Sequence, residues 1–117
     1  MTRAIIAAAL AEEYGAHERA FLQGDVTRAW HHLERAHILA QTAFLPHLVS
    51  HARMLALAVR TRDWRELAGQ IIRLALAPIG NVTGRLPIGN TGRSTVSAFV
   101  PMDIPADLRA ILDRAIV

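Results

Sequence analysis

Apolar residues recur at steps of three and four over much of residues 3–77, which is the spacing that places them on one face of an α-helix. Gly24, Pro46 and Asp63 interrupt this pattern at points where a helix can end or begin. The pattern predicts four main helices and a short C-terminal helix, at about residues 3–23, 26–44, 46–62, 64–77 and 105–115. Short turns make neighbouring helices antiparallel, so we predict an all-α fold of antiparallel helical hairpins, in one domain over residues 1–117.

The helical pattern stops at Pro78, and residues 78–104 are rich in Gly, Pro and Asn. Pro-Ile-Gly-Asn occurs at 78–81 and again at 87–90, each time followed closely by Thr-Gly-Arg, and such a composition predicts turns. A segment this long is either functional or packed as an extended strap. Part of it can form a nest of inward-pointing amides that binds an anion, or paired turns that cap helix ends. The residues of this possible anion nest are Gly89, Asn90, Thr91 and Gly92.

All six histidines lie between residues 17 and 51, and four of them flank the corner between the second and third predicted helices. Antiparallel packing about a pivot near residue 44 brings His37 level with His51. Glu34 and His37 are three residues apart and His47 and His51 are four apart, so each pair shares one helix face. The spacing therefore predicts that these four side chains converge.

Such a cluster can hold one divalent transition metal ion, because rigid helices direct lone pairs inward at about 2 Å from the ion. The chain has no cysteine, which excludes thiolate zinc sites and iron–sulfur clusters. Histidine-rich sites without thiolates suit zinc, copper, nickel or iron. Glu34 is then a fourth ligand or an orienting partner. Four further residues are candidates for contacts that orient the ligands: Glu13, His17, Gln41 and Met54.

Two functions stay open at this point. In the first, the protein binds or senses a metal ion. Catalysis is less favoured, because Glu34 and Glu13 are the only candidate acids or bases nearby. In the second, the histidines are ordinary core residues and the helical hairpins present a groove to a protein partner. Gln41, Gln70 and Asn90 then satisfy buried backbone groups instead of orienting ligands.

Composition limits the other possibilities. All thirteen basic residues are arginine, the net charge is only +3, and the arginines alternate with apolar residues, so nucleic-acid binding is not expected. No run of eighteen apolar residues occurs, so we predict no membrane span. Hydrophobic residues make up 52% of this short chain. We therefore expect a homodimer that covers surplus apolar surface.

The chain contains four distinctive stretches: "HLERAHILAQ", "HLVSHARML", "GQIIRL" and "RLPIGNTGRSTVSAFVPMDIP". Together they resemble a family of short bacterial proteins known as a domain of unknown function, with ERAHxLxQ, HxxxHxxML and PxGNTG motifs. The resemblance implies a helical architecture, a shared site and a cytoplasmic location, and it implies no reaction. After the last motif, Arg93 and Ser94 are read as incidental. A shorter stretch, "GDVTRAWHHLERAHIL", resembles a tetratricopeptide hairpin, without the 34-residue repeat of that family.

Overall fold

The computed structural model describes residues 2–116, which form five α-helices and no strand. Their bounds are α1 Thr2–Leu22, α2 Val26–Ala40, α3 Phe44–Arg60, α4 Trp64–Thr83 and α5 Ala106–Ile116. Helix α1 packs against α2, α3 packs against α4, α2 contacts α3, and α5 lies on α1 and α2. The predicted all-α fold of helical hairpins is therefore confirmed. None of the helices within residues 2–116 has the length and apolar character needed to cross a bilayer.

Aspartate caps fix the starts of α2 and α4. The carboxylate of Asp25 accepts a hydrogen bond from the amide of Arg28 at 3.0 Å, and Asp63 accepts one from the amide of Glu66 at 3.1 Å. These bonds satisfy backbone donors that a helix start leaves free. Each cap follows directly on a tight turn, so the chain reverses there and consecutive helices run antiparallel.

The corner between α2 and α3 is earlier in the chain than the apolar spacing suggested. Helix α2 ends at Ala40 and not at residue 44, while α3 already begins at Phe44. The side chain of Phe44 is 45% exposed, so it does not extend the buried seam of α2. Pro46 lies in the first turn of α3, where its missing amide costs no hydrogen bond.

Helix α4 continues through Pro78 to Thr83, beyond the expected end near residue 77. An internal proline removes one backbone hydrogen bond, which is why the sequence favoured a stop. Asn81 compensates from the last turn, because its side chain contacts the backbone oxygen of Gln41 at 3.2 Å and the ring of His47 at 2.7 Å. Gly84 then ends the helix with a left-handed φ of 71°.

Two hydrophobic clusters stabilise the helices. One joins α1, α2 and α5 around Leu39 and Leu108, and the other joins α1, α2 and α3 around Trp30 and Leu33. Met54 belongs to the second cluster and is completely buried. Met54, expected among the residues that orient the histidines, thus lies in the hydrophobic core.

The strap, as the structure defines it, comprises residues 84–105 and packs as an extended segment. Asn90 organises it, since its side-chain amide donates to the backbone oxygens of Ser97 and Val100, both at 2.8 Å. The side chain of Gln41 fastens it to the end of α2, donating to the oxygen of Pro87 at 2.8 Å and accepting from the amide of Gly89 at 3.1 Å. These contacts hold the middle of the strap against the helices.

We predict that Gly89→Ala destabilises the protein by about 2 kcal/mol or more. Gly89 has a φ of 82°, and an added Cβ would lie 1.9 Å from the backbone oxygen of Met102. The matched control is Gly24→Ala, with a φ of 78° but nothing within 4 Å of its Cβ. The control isolates the backbone penalty of about 1 kcal/mol. Urea denaturation measures both variants, and equal losses would show that the strap does not pack as described.

Candidate metal centre

Three histidine side chains converge between α2 and α3. His37 comes from α2, and His47 and His51 come from successive turns of α3, so antiparallel packing brings all three to one level. Each pairwise distance between their Nε2 atoms is 3.2 Å. The three side chains are buried, with 3–4% exposure. This confirms that the three rings converge, as the spacing of the sequence predicted.

The other ring nitrogen of each histidine faces an oxygen. An amide or backbone oxygen can only accept a hydrogen bond, so each ring must place its proton on Nδ1 and leave a lone pair on Nε2. The three bonds run from His37 to the backbone oxygen of Asn90 (2.7 Å), from His47 to Oδ1 of Asn81 (2.7 Å) and from His51 to Oε1 of Gln70 (2.8 Å).

Further hydrogen bonds fix the amide orientations on which these tautomers depend. The nitrogen of the Gln70 side chain donates to Glu66 at 2.8 Å and to the backbone oxygen of Gly92 at 2.9 Å. Its oxygen is therefore the atom that faces His51. The nitrogen of Asn81 likewise donates to the backbone oxygen of Gln41, which turns its oxygen toward the histidine cluster.

An ion-paired network supports Gln70 from behind. Glu66 is 2% exposed and accepts from Arg93 Nε at 2.7 Å and from the amide of Ser94 at 2.8 Å. Burial alone raises the pKa of Glu66, but the bonds from Arg93, Gln70 and Ser94 outweigh it and lower the pKa overall. The guanidinium of Arg93 also lies 3.9 Å from the centre of the Trp30 ring. Arg93 and Ser94, read as incidental from the sequence, therefore belong to the scaffold of the site.

The three Nε2 lone pairs point at one another with no proton between them, which is unfavourable unless a cation lies among them. A tetrahedral ion about 2.05 Å from three nitrogens holds them about 3.3 Å apart. The observed 3.2 Å spacing agrees with that value. A square-planar ion would separate one of the three pairs by about 4 Å, and the equal spacing does not fit that geometry.

Burial keeps the three rings neutral. It lowers the pKa of His37 well below its ordinary value, and the nearby His51 and His47 rings add to that effect. Burial also lowers the pKa of His51 to about 4 and lowers the pKa of His47. At neutral pH the three lone pairs are therefore free to bind a metal ion.

Three other predicted site residues have partners outside the group formed by the three histidines. Glu34, expected as a fourth ligand or an orienting partner, pairs with Arg93 at 3.3 Å, and Arg93 in turn pairs with Glu66. Glu13 accepts from Arg35 Nε at 3.0 Å, and His17 Nδ1 bonds to a backbone oxygen at 3.0 Å. Among the described residues, the histidine group that can hold a metal ion contains none of these three.

Three of the four amides of the expected anion nest, residues 89–92, have acceptors within the protein. The amides of Gly89 and Asn90 donate to Gln41 Oε1 and to the oxygen of Pro87, and the amide of Gly92 donates to Asn90 Oδ1 at 2.9 Å. These amides are therefore occupied within the protein. Gly92 instead makes room for the site, because an added Cβ would lie 2.7 Å from the ring of His37.

Both roles considered for the buried polar side chains, satisfying backbone groups and orienting histidines, occur in the structure. Gln41 and the side chain of Asn90 satisfy backbone groups of the strap, as the alternative reading required. Gln70 and the backbone of Asn90 orient histidines, as the metal reading required. Asn81 was missed as an orienting residue, although the repeated Pro-Ile-Gly-Asn places it in register with Asn90 and thus contained a usable signal.

A cavity of about 600 Å³ opens directly onto the three rings. Its walls come from α4 and the strap, and most of them are apolar. The histidine cluster thus borders an open space as well as its orienting oxygens. Three protein ligands with an open position are typical of metal sites that accept an exogenous ligand.

The protein family described as "Protein of unknown function (DUF3703)" matches residues 4–112, and the chain belongs to this family. The sequence motifs had indicated such a family, and that identification is confirmed. The chain matches no curated protein and no solved structure.

We predict that the metal-free protein loses stability in mild acid. The pKa of His51 falls from about 6.5 in the unfolded chain to about 4 in the folded protein. The unfolded chain therefore gains a proton that the folded chain excludes. The contribution of the neutral His51 ring to the free energy of unfolding is fully present above about pH 6.5. It falls as the pH drops toward 4, by up to about 1.4 kcal/mol per pH unit.

Urea denaturation with chelator present, between about pH 7 and pH 5, measures this slope. His51→Gln removes the titrating ring and should flatten the profile, whereas His31→Gln, which alters an exposed histidine of α2, should leave it unchanged. Parallel profiles for the wild type and His51→Gln would contradict the assignment of a neutral buried ring.

Proposed function

We propose that this member of the family binds one divalent transition metal ion through the Nε2 atoms of His37, His47 and His51. The observation that supports the proposal is the triangle of three neutral, converging lone pairs 3.2 Å apart. Oriented acceptors behind each ring are a regular feature of histidine metal ligands. Rings that merely packed in a core would gain hydrogen bonds by turning their donors toward their neighbours.

Zinc is the ion that the site suits best. Copper(II) and nickel(II) favour tetragonal arrangements, which the equal nitrogen spacing does not match. Mononuclear iron sites commonly add a carboxylate, but Glu34 is paired with Arg93. Zinc has no geometric preference from its d electrons and accepts three histidines with an open fourth position.

The role that we propose is binding or sensing of the ion. A hydrolytic centre commonly needs a carboxylate or histidine that is free to move a proton. Glu34 and Glu66, the carboxylates of the surrounding network, are both ion-paired with Arg93. Glu13 is held by Arg35. These three carboxylates are therefore engaged, which favours binding over catalysis.

We retain the expectation of a cytoplasmic homodimer as part of this proposal. Apolar side chains remain exposed on α4 and in the strap, including Ile72 (58%), Val82 (83%) and Val100 (51%). A contact between two copies would remove this surface from water. A protein partner at the same surface is the alternative that the sequence left open.

We predict that the purified protein binds one equivalent of Zn²⁺ and that His37→Ala and His51→Ala abolish this binding. Elemental analysis after gel filtration measures the stoichiometry. His31→Ala, an exposed histidine on the same helix as His37, is the matched control and should retain the ion. At about one hundred times the dissociation constant, zinc adds about 2.7 kcal/mol of stability, so chelator should lower the melting temperature.

Two results would oppose this proposal. Zinc retained by both alanine variants would place the ion elsewhere in the protein. A wild-type melting temperature that does not respond to chelator would favour the interaction module, in which the histidines have only a packing role.

We further predict that Asn81→Ala weakens zinc binding by about 10- to 100-fold, because His47 loses the acceptor that fixes its tautomer. Asn81→Asp keeps an acceptor at that position and should retain binding within a few-fold. Competition with a chromophoric chelator measures both affinities. Equal losses in the two variants would show that Asn81 acts through the end of α4 and not through the ring.

A further inference from the structure

The cavity that opens onto the histidine triangle has a one-sided charge. Among the described residues that line it, Arg73 and Arg85 are basic and none is acidic. The three imidazoles are neutral, so they cancel none of the charge of a bound divalent ion. The ion and Arg73 would therefore place an uncompensated positive charge in a partly enclosed space, which is costly to keep away from water.

Arg73 lacks a carboxylate partner among the described residues. Its terminal nitrogens donate to the backbone oxygens of Gly69 at 3.3 Å and Val96 at 2.7 Å, which holds the guanidinium in place. Its Nε is buried without a hydrogen-bond partner. Arg73 lines the same cavity as His37, His47 and His51. A fixed cation that lines the cavity without a carboxylate partner is suited to binding an anion.

Apart from the histidines and the two arginines, most of the remaining cavity wall is apolar, and its polar side chains are Gln41, Thr83 and Asn90. Leu76, Ala77 and Ile79 contribute from α4, and Leu86 and Phe99 contribute from the strap. The volume of about 600 Å³ lies within the usual range of small-molecule sites. A small inorganic anion would fill only a fraction of this space and would leave the apolar wall unused.

We propose that the cavity binds a small monocarboxylate with an apolar tail, whose carboxylate group is a ligand of the metal ion. This inference rests on the proposed metal site. One carboxylate oxygen takes the open coordination position, Arg73 stabilises the negative charge, and the apolar wall contacts the tail. The anion thus supplies the charge compensation that the protein itself does not provide, and Arg73 is a specificity-determining residue.

Protein loaded with Co²⁺ provides the test, because the visible absorption of the ion changes when a ligand enters its coordination sphere. Titration with butyrate should change the spectrum saturably, while butyramide, the neutral analogue, should not. Affinity should rise about fourfold per added methylene from acetate to butyrate, since each one buries apolar surface. Phosphate that binds as tightly as butyrate would overturn the assignment of the ligand class.

Two variants separate the role of Arg73 from a general charge effect. Arg73→Met should bind Co²⁺ like the wild type but bind butyrate at least about tenfold more weakly. Arg65→Met, at an exposed arginine of the same helix, should match the wild type in both respects. Unchanged butyrate affinity in Arg73→Met would remove that residue from the site and overturn its assigned role.

The outcomes also distinguish the two proposals. Wild-type protein that binds no Co²⁺ would overturn both the metal site and the carboxylate site. Protein that binds one Co²⁺ but whose spectrum does not respond to butyrate would leave the metal site intact and overturn the carboxylate site alone. The comparison of butyrate with butyramide uses only the wild type, so it does not depend on the folding of any variant.

Discussion

The constraint on which the site depends is the placement of three hydrogen-bond acceptors behind three imidazoles. Asn90, Asn81 and Gln70 each present an oxygen to Nδ1, so no ring can rotate its donor inward without losing a buried bond. The lone pairs on the three Nε2 atoms are therefore directed at one another. Helix α4 supplies two of these acceptors and the strap supplies the third. Elements far from the α2–α3 corner in sequence therefore determine which ring nitrogens carry a proton.

Sequence spacing was sufficient to predict that the histidines meet, because a short turn and a four-residue step leave few alternatives for rigid helices. It was not sufficient for Glu34, which shares a helix face with His37 but reaches Arg93 instead. That ion pair depends on where the strap packs against α2, and the local sequence pattern does not predict this position. Spacing within a helix therefore predicted the histidine cluster, whereas ionic partners depended on tertiary contacts.

The duplicated Pro-Ile-Gly-Asn shows that the backbone conformation, like the ionic partners, depends on tertiary contacts. The first copy continues α4, and the second copy forms a turn of the strap, although both have the same four residues. Asn81 contacts α2 and α3 from the helical copy, and Gly89 and Asn90 contact α2 from the other. Local propensity predicts a turn for both, so tertiary contacts account for the difference.

The sequence distance between the histidines and their acceptors has a consequence for synthesis on the ribosome. His47 and Asn81 are separated by 34 positions, and His37 and Asn90 by 53. A nascent chain that has exposed only α1 to α3 therefore contains every nitrogen of the triangle but none of the oxygens that aim them. The orientation of the three rings is therefore complete only after the C-terminal third has emerged and docked.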